Sequence, residues 1–264
     1  MVSRPTASAM AQPNYFSHAS AAERYAKFRP YFHSLVIARL VPFTGCARFE
    51  IALDVACGAG QSTRALAEVA DKVVAMDNSA AMLALAPALP NVVYQFGEAE
   101  ALPFSSETFD LLTAGKAFHW FDQDRFLREA NRVLKSRGWL LIYNNVFMGG
   151  MKENPGFKQW VEQAYLAKYT TPPRARKKLT ADYASEFSFE LAGRENVFND
   201  VSMTGEQLVG YFLSQSNVIA AVEQGSETTE DVAAWLEQGA RPFFTGPTGT
   251  MQFGSDVWYL RKRA

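Results

Sequence analysis

Residues 50–79 read EIALDVACGAGQSTRALAEVADKVVAMDNS. The β-rich apolar run at 50–56 predicts a strand, and Gly58 and Gly60 mark a tight turn. Residues 61–70 have helical composition, and KVVAMD (72–77) predicts a second short strand that ends on an acid. A strand, glycine turn, helix and strand in this order form the unit that holds a nucleotide-like cofactor. Several cofactors use such a turn, so its neighbours must separate them.

A dinucleotide fingerprint wants a third glycine where Thr63 stands, and a phosphate-cradling loop wants a lysine after the glycines, where none occurs. Asp54 lies four residues ahead of Gly58. A fixed carboxylate there is a poor neighbour for a pyrophosphate and a good one for an ammonium group. Asp77, 17 residues after Gly60, can accept two hydrogen bonds from a ribose diol. These features fit S-adenosylmethionine, which has a cationic amino-acid head, an adenosine and no phosphate. The rival is an NAD(P)-dependent oxidoreductase with a Rossmann fold, which Asp54 and the missing glycine disfavour.

Further along, NVVYQF (91–96), FDLLTA (109–114) and WLLIYNN (139–145) predict three more strands. DQDRFLREANRVLK (122–135) is an amphipathic helix with acids in its first turn and bases in its last. Residues 20–40 have helical spacing broken at Pro30. Five strand–helix alternations by residue 145 imply a mostly parallel sheet with helices on both faces. The second half is helical at 156–169, 204–224 and 229–239, and TMQFGSDVWYLRKR (250–263) alternates as a strand. The expectation is a loose segment over 1–19 and a single domain over 20–264. In it, 20–145 binds the cofactor, about 146–240 is a helical cap, and about 250–262 closes the sheet.

The chain has 264 residues, 48% hydrophobic and 20% charged, enough for a sizeable core. A formal net charge of -1 gives no sign of the basic face that holds nucleic acid. Cys46 and Cys57 are expected as free thiols of a reducing compartment. No signal peptide is apparent at the start, no stretch approaches the ~18 apolar residues that span a bilayer, and no Cys/His cluster has zinc spacing. A cytoplasmic enzyme without membrane, nucleic-acid or metal partner is expected, its oligomeric state unassigned.

LDVACGAGQST, VVAMDNSAAML, GEAEALPFSSETFDLLTAGKAFHWFD and REANRVLKSRGWLLI resemble the successive motifs of the class I S-adenosylmethionine-dependent methyltransferases, in particular the small-molecule branch that includes trans-aconitate methyltransferase-like enzymes. The resemblance covers about residues 20–145. It implies a Rossmann-like α/β fold of seven strands, the last antiparallel. By resemblance Asp54, Gly58 and Gly60 border the methionine part, Asp77 the ribose, Asn78 and Met82 the adenine face, and Glu98 and Ala99 the adenine edge. YAKFRPY (25–31) is similar to a family segment whose arginine, here Arg29, meets the methionine carboxylate. Glu98 stands where Asp is more usual. Lys116 stands where Gln or Glu is more usual and puts a cation near the methyl end, which suits an acidic acceptor.

Methyl transfer from a sulfonium is an in-line displacement that needs alignment and dryness, with a base only where the nucleophile must lose a proton. His119 follows the fourth strand, where this fold opens its pocket, and serves either as that base or as a residue that positions substrate beside Trp120 and Tyr31. His18 and His33 are expected on the surface or cap. Arg174, Arg176, Lys177 and Lys178 form a basic loop that either draws in an anionic substrate or is simply solvated. The aromatics of the second half, among them Tyr165, Tyr211 and Phe212, either roof the pocket or belong to the core. A methyltransferase-like binding protein without turnover is the remaining alternative.

Overall fold

The computed structural model describes residues 15–172, 177–223 and 225–264. Eight strands form one sheet: β1 (Phe49–Val55), β2 (Ala70–Asp77), β3 (Val92–Phe96), β4 (Phe109–Gly115), β5 (Leu134–Tyr143), β6 (Val146–Met151), β7 (Phe189–Met203) and β8 (Gly249–Lys262). The order β3-β2-β1-β4-β5 is parallel throughout. β8 then runs antiparallel to its neighbours. β5 and β6 share one of its edges in succession, and β7 covers the other from Phe189 opposite Lys262 to Met203 opposite Gly249.

Strand alternation builds two cores. Leu53, Leu112, Leu140 and Leu260 meet the helix Gln123–Val133 on one face of the sheet. Their neighbours Ala52, Leu111, Leu141 and Tyr259 meet the helices His33–Ile37 and Gln61–Leu66 on the other. Adjacent residues point to opposite faces, and both faces are covered, so these strands read as unbroken apolar runs. The helix Gln123–Val133 buries Phe126, Leu127, Ala130 and Val133 along one stripe and is capped by Asp122, whose carboxylate accepts from Arg125 N at 3.1 Å.

The range 146–240 departs from the helical cap expected of it, because β6 and β7 lie inside it. β7 is an edge strand, and its burial alternates along its length. Half of it faces solvent, so its polar positions blur the β signal. The helical part of this range makes a third apolar cluster, with Phe157, Tyr165, Tyr211, Phe212 and Leu236 packed over Met251 and Phe253 of β8. Its helix Gly205–Leu213 starts in a capping box, with Gln207 N donating to Thr204 Oγ1 and Thr204 N to Gln207 Oε1.

Residues 15–19, expected to be loose, are tied down. Ser79 Oγ donates to Phe16 O at 2.6 Å, and the Tyr15 ring packs on Trp120 at 5.5 Å. Arg174 and Arg176 lie outside the described residues. Among those described, no helix is long and apolar enough to cross a membrane.

Candidate functional site

The carboxyl ends of β1, β2, β4 and β5 open into a cavity of about 1640 Å³, roofed by the N-terminal segment and the cap. It sits where the strand order reverses between β1 and β4, the place where open α/β sheets bind ligands.

The glycine turn is wound tightly, with positive φ at Ala56 (56°), Gly58 (56°) and Gly60 (78°). Its amides are already used. Cys57 N donates to Met76 O, Gly60 N to Cys57 O, and Gly58 N to Asp77 Oδ2 at 2.8 Å. A diphosphate would find none of these three donors. Gly58 borders the cavity, whereas Gly60 does not. A Cβ on Gly60 would stand 2.8 Å from Tyr94 Oη and 3.0 Å from Pro87 Cδ, so this glycine lets the turn pack on the neighbouring elements. Gly60→Ala should destabilise the fold by about 1–2 kcal/mol from the left-handed backbone alone, with the Tyr94 clash adding to it. Urea unfolding reads this, and an unchanged midpoint would contradict the steric account.

Asp54 requires a correction. The sequence suggested that it borders the ligand, but its carboxylate is 0% exposed and does not line the cavity. Its Oδ2 accepts from Ser62 Oγ and Thr63 Oγ1, and its Oδ1 from Thr113 Oγ1, all at 2.7 Å. Burial pushes its carboxyl up against the opposing pull of those hydroxyls. Asp54 ties β1 to β4 and to the helix after the turn, and so holds the turn in shape.

Asp77 is the acid that reaches the cavity. Ser79 N donates to its Oδ1 and Gly58 N to its Oδ2, both at 2.8 Å. These amides, with that of Asn78, fix the carboxylate on the cavity wall, where it can accept from a ligand. Burial nevertheless raises its pKa, so a pair of donors from a ligand would stabilise the charged form. Asn78, Met82, Glu98 and Ala99 follow along the same wall, with Asn78 Nδ2 donating to Glu98 Oε2 at 3.2 Å.

Pro30 ends the first helix (Ala19–Phe28) and holds Arg29 in extended backbone, φ -75° and ψ 127°. The guanidinium lies between the rings of Tyr25 (4.9 Å) and Tyr211 (5.2 Å), and its Nη2 donates to Ser214 O at 2.7 Å. Its Nε is buried and has no partner among the described residues. These features fit the group inferred from the sequence: an acceptor carboxylate on the cavity wall, and a guanidinium among the lining residues that suits a carboxylate.

Lys116, His119 and Trp120 line the cavity beyond β4, and the His119 ring packs on Trp120 at 4.8 Å. Tyr31 does not join them. It is 37% exposed, under the Arg64 guanidinium at 4.1 Å, because the chain after Pro30 turns it to the outer surface. His33 is likewise misplaced by sequence: it is 4% exposed, with Nδ1 2.9 Å from Tyr143 Oη. His18 stays exposed and faces Glu223 at 3.5 Å. Of the basic loop, Lys177 lines the cavity and pairs with Asp124 at 2.7 Å.

Sequence reasoning missed Tyr15, Phe16, Tyr25, Phe147 and Gln215, all of which line the cavity. The YAKFRP segment contains Tyr25 and was the one signal that could have found it. Tyr165, Tyr211 and Phe212 are at once core and roof.

Residues 53–142 match the family described as a methyltransferase domain. A protein of Dictyostelium discoideum bearing a methyltransferase name is 27% identical over 79% of this chain and 80% of its own length. An uncharacterised methyltransferase of Mycobacterium tuberculosis is 35% identical over 48% of this chain and 52% of its own length. Among solved structures, one from Anaeromyxobacter dehalogenans described as a type II methyltransferase superposes with TM-score 0.67 at 23% identity, covering 89% of this chain and 98% of that one. A phosphoethanolamine N-methyltransferase of Haemonchus contortus, solved with S-adenosylhomocysteine, superposes with TM-score 0.52 at 19% identity, covering 93% and 58%. At these identities the structural matches establish the shared fold.

Proposed function

Because the chain is a class I S-adenosylmethionine-dependent methyltransferase, we propose that it transfers a methyl group to an oxygen or nitrogen of a small-molecule acceptor enclosed by the cap. Asp77 takes the ribose diol, and Arg29 takes the methionine carboxylate. Gly58 lets the backbone approach the ligand. Asn78 and Met82 cover the adenine face, with Glu98 and Ala99 at its edge. His119 and Trp120 position the acceptor. When bound, the cofactor supplies an activated methyl group, and the chain's own contribution is alignment and exclusion of water.

The observation that carries the reading is the Asp77 carboxylate, held by backbone amides on the wall of the cavity. The size of the cavity supports a small acceptor beside the cofactor: about 1640 Å³ exceeds the roughly 300–1,000 Å³ of a pocket for one ligand. The Haemonchus enzyme, solved with phosphomonomethylethanolamine and S-adenosylhomocysteine, supports the same pairing of cofactor with small acceptor. Free cysteines at Cys46 and Cys57 suit the reducing, cytoplasmic setting that belongs to this reading.

Calorimetry should show S-adenosylmethionine binding, weakened by about 1–3 kcal/mol in Asp77→Ala through loss of a charged hydrogen-bonding pair. An indifferent variant would refute the assignment of Asp77. Incubation with methyl-labelled cofactor and a fractionated cell extract should then place label in a low-mass product. Label in macromolecules alone would refute the small-acceptor reading, and cofactor binding without any transfer would indicate a binding protein.

A further inference from the structure

Lys116 is the first residue beyond β4 and sits in left-handed backbone, φ 58°. For a lysine such a conformation is strained and persists only where the surroundings enforce it. Its amide donates to Tyr143 O at 2.7 Å, which pins the backbone to β5. Its side chain lines the cavity with Nζ 5.6 Å from the Tyr25 ring and 5.8 Å from the Phe32 ring.

The polar groups around it come from three elements. Tyr25 and Arg29 face it from the first helix and its cap, His33 from the next helix, and Tyr143 from β5. None is an acid, and no carboxylate pairs with Lys116 among the described residues. Burial holds its amine well below the ordinary lysine range, and the Arg29 guanidinium adds repulsion. An amine whose ammonium form is disfavoured in this way gives up its proton more readily than an exposed lysine and suits a general base.

We propose that Lys116 is the general base of the methyl-transfer step, its Nζ taking the proton of the acceptor's nucleophile at the carboxyl end of β4. This deepens the small-molecule reading above and rests on it. The acceptor is then a hydroxyl or protonated amine rather than a carboxylate. Its oxygen or nitrogen forms the new bond to the methyl carbon. The carbon–sulfur bond breaks with its electron pair to sulfur, and the acceptor's proton passes to Nζ, giving an ammonium that later releases it to water. His119 remains a positioning residue beside Trp120.

The amine can be read without any acceptor. With the protein saturated in S-adenosylhomocysteine, short pulses of isotopic formaldehyde and cyanoborohydride across a pH series should label Lys116 with an inflection at lower pH than that of the exposed Lys72. Coincident inflections would overturn the proposal. Lys116→Met and Lys116→Arg should both lower transfer to the labelled extract product by about 10²–10⁴-fold, while keeping affinity for S-adenosylhomocysteine within about threefold. Arginine keeps the charge and cannot accept the proton. A Lys116→Arg variant that retains the rate would show an anion-binding cation instead and overturn the proposal. A wild-type enzyme that labels no extract fraction counts against the small-molecule reading alone, since the amine labelling needs no acceptor.

Discussion

Asp54→Ala should destabilise the protein by about 3–5 kcal/mol in urea unfolding. The substitution removes the carboxylate that accepts from three buried hydroxyls, Ser62 Oγ, Thr63 Oγ1 and Thr113 Oγ1. These residues are 5%, 0% and 1% exposed, so water cannot replace the carboxylate. Each buried hydroxyl left without a partner costs about 1–3 kcal/mol, less where it turns to a backbone carbonyl. Asp54→Asn keeps one acceptor oxygen and most of the volume, and should cost clearly less. The glycine turn depends on the same carboxylate, so Asp54→Ala should also weaken cofactor binding, although Asp54 does not line the cavity. A stability loss under about 1 kcal/mol, the value of an ordinary exposed hydrogen bond, would show that Asp54 does not organise the turn.

Acidification should destabilise the wild type steeply, and His33→Gln should blunt the effect. Burial, with help from Lys116 and Arg64, lowers the His33 pKa from 6.5 to about 3. Between those values the unfolded chain takes up a proton that the folded chain refuses. The stability tied to neutral His33 is therefore complete above about pH 6.5 and is lost as pH falls toward 3, at about 1.4 kcal/mol per unit. From neutral pH to about pH 4.5 the loss comes to about 3 kcal/mol. Glutamine does not titrate and can still face Tyr143 Oη. Urea midpoints for both proteins across that range should converge as pH falls, and parallel profiles would refute the assignment. The raised pKa of Asp77 acts with the opposite sign: its burial costs stability as pH rises and the carboxyl ionises.

The strands β1, β2, β4 and β5 were legible because parallel strands buried on both faces are continuous apolar runs bounded by turns. KVVAMD ended where β2 ends, and the antiparallel closing strand appeared at 249–262. β7 was not legible. Its neighbour β8 supplies its partners from 46 to 73 residues away, and an edge strand shows water half of its side chains. One wall of the cavity was readable from the chain, where Asp77, Asn78, Met82, Glu98 and Ala99 lie close to their strand ends. The roof was not, since it joins Tyr15 and Tyr25 to Tyr211 and Gln215.

Local order in the chain determined the sheet, the turn and the kind of cofactor, because strand period, glycine backbone freedom and helix caps act within a few residues. Which of two similar acids opens on the cavity was decided only by tertiary packing. Asp54 and Asp77 each end a strand beside the same turn, yet the hydroxyls of Ser62, Thr63 and Thr113 close around the first and leave the second open. The same holds for Lys116 and His33, whose pKa values are lowered by burial and by neighbours on other elements, and for Arg29, held by a carbonyl 185 residues away. Burial and long-range contact set the electrostatics of a group, and neither is a property of the residues beside it in the chain.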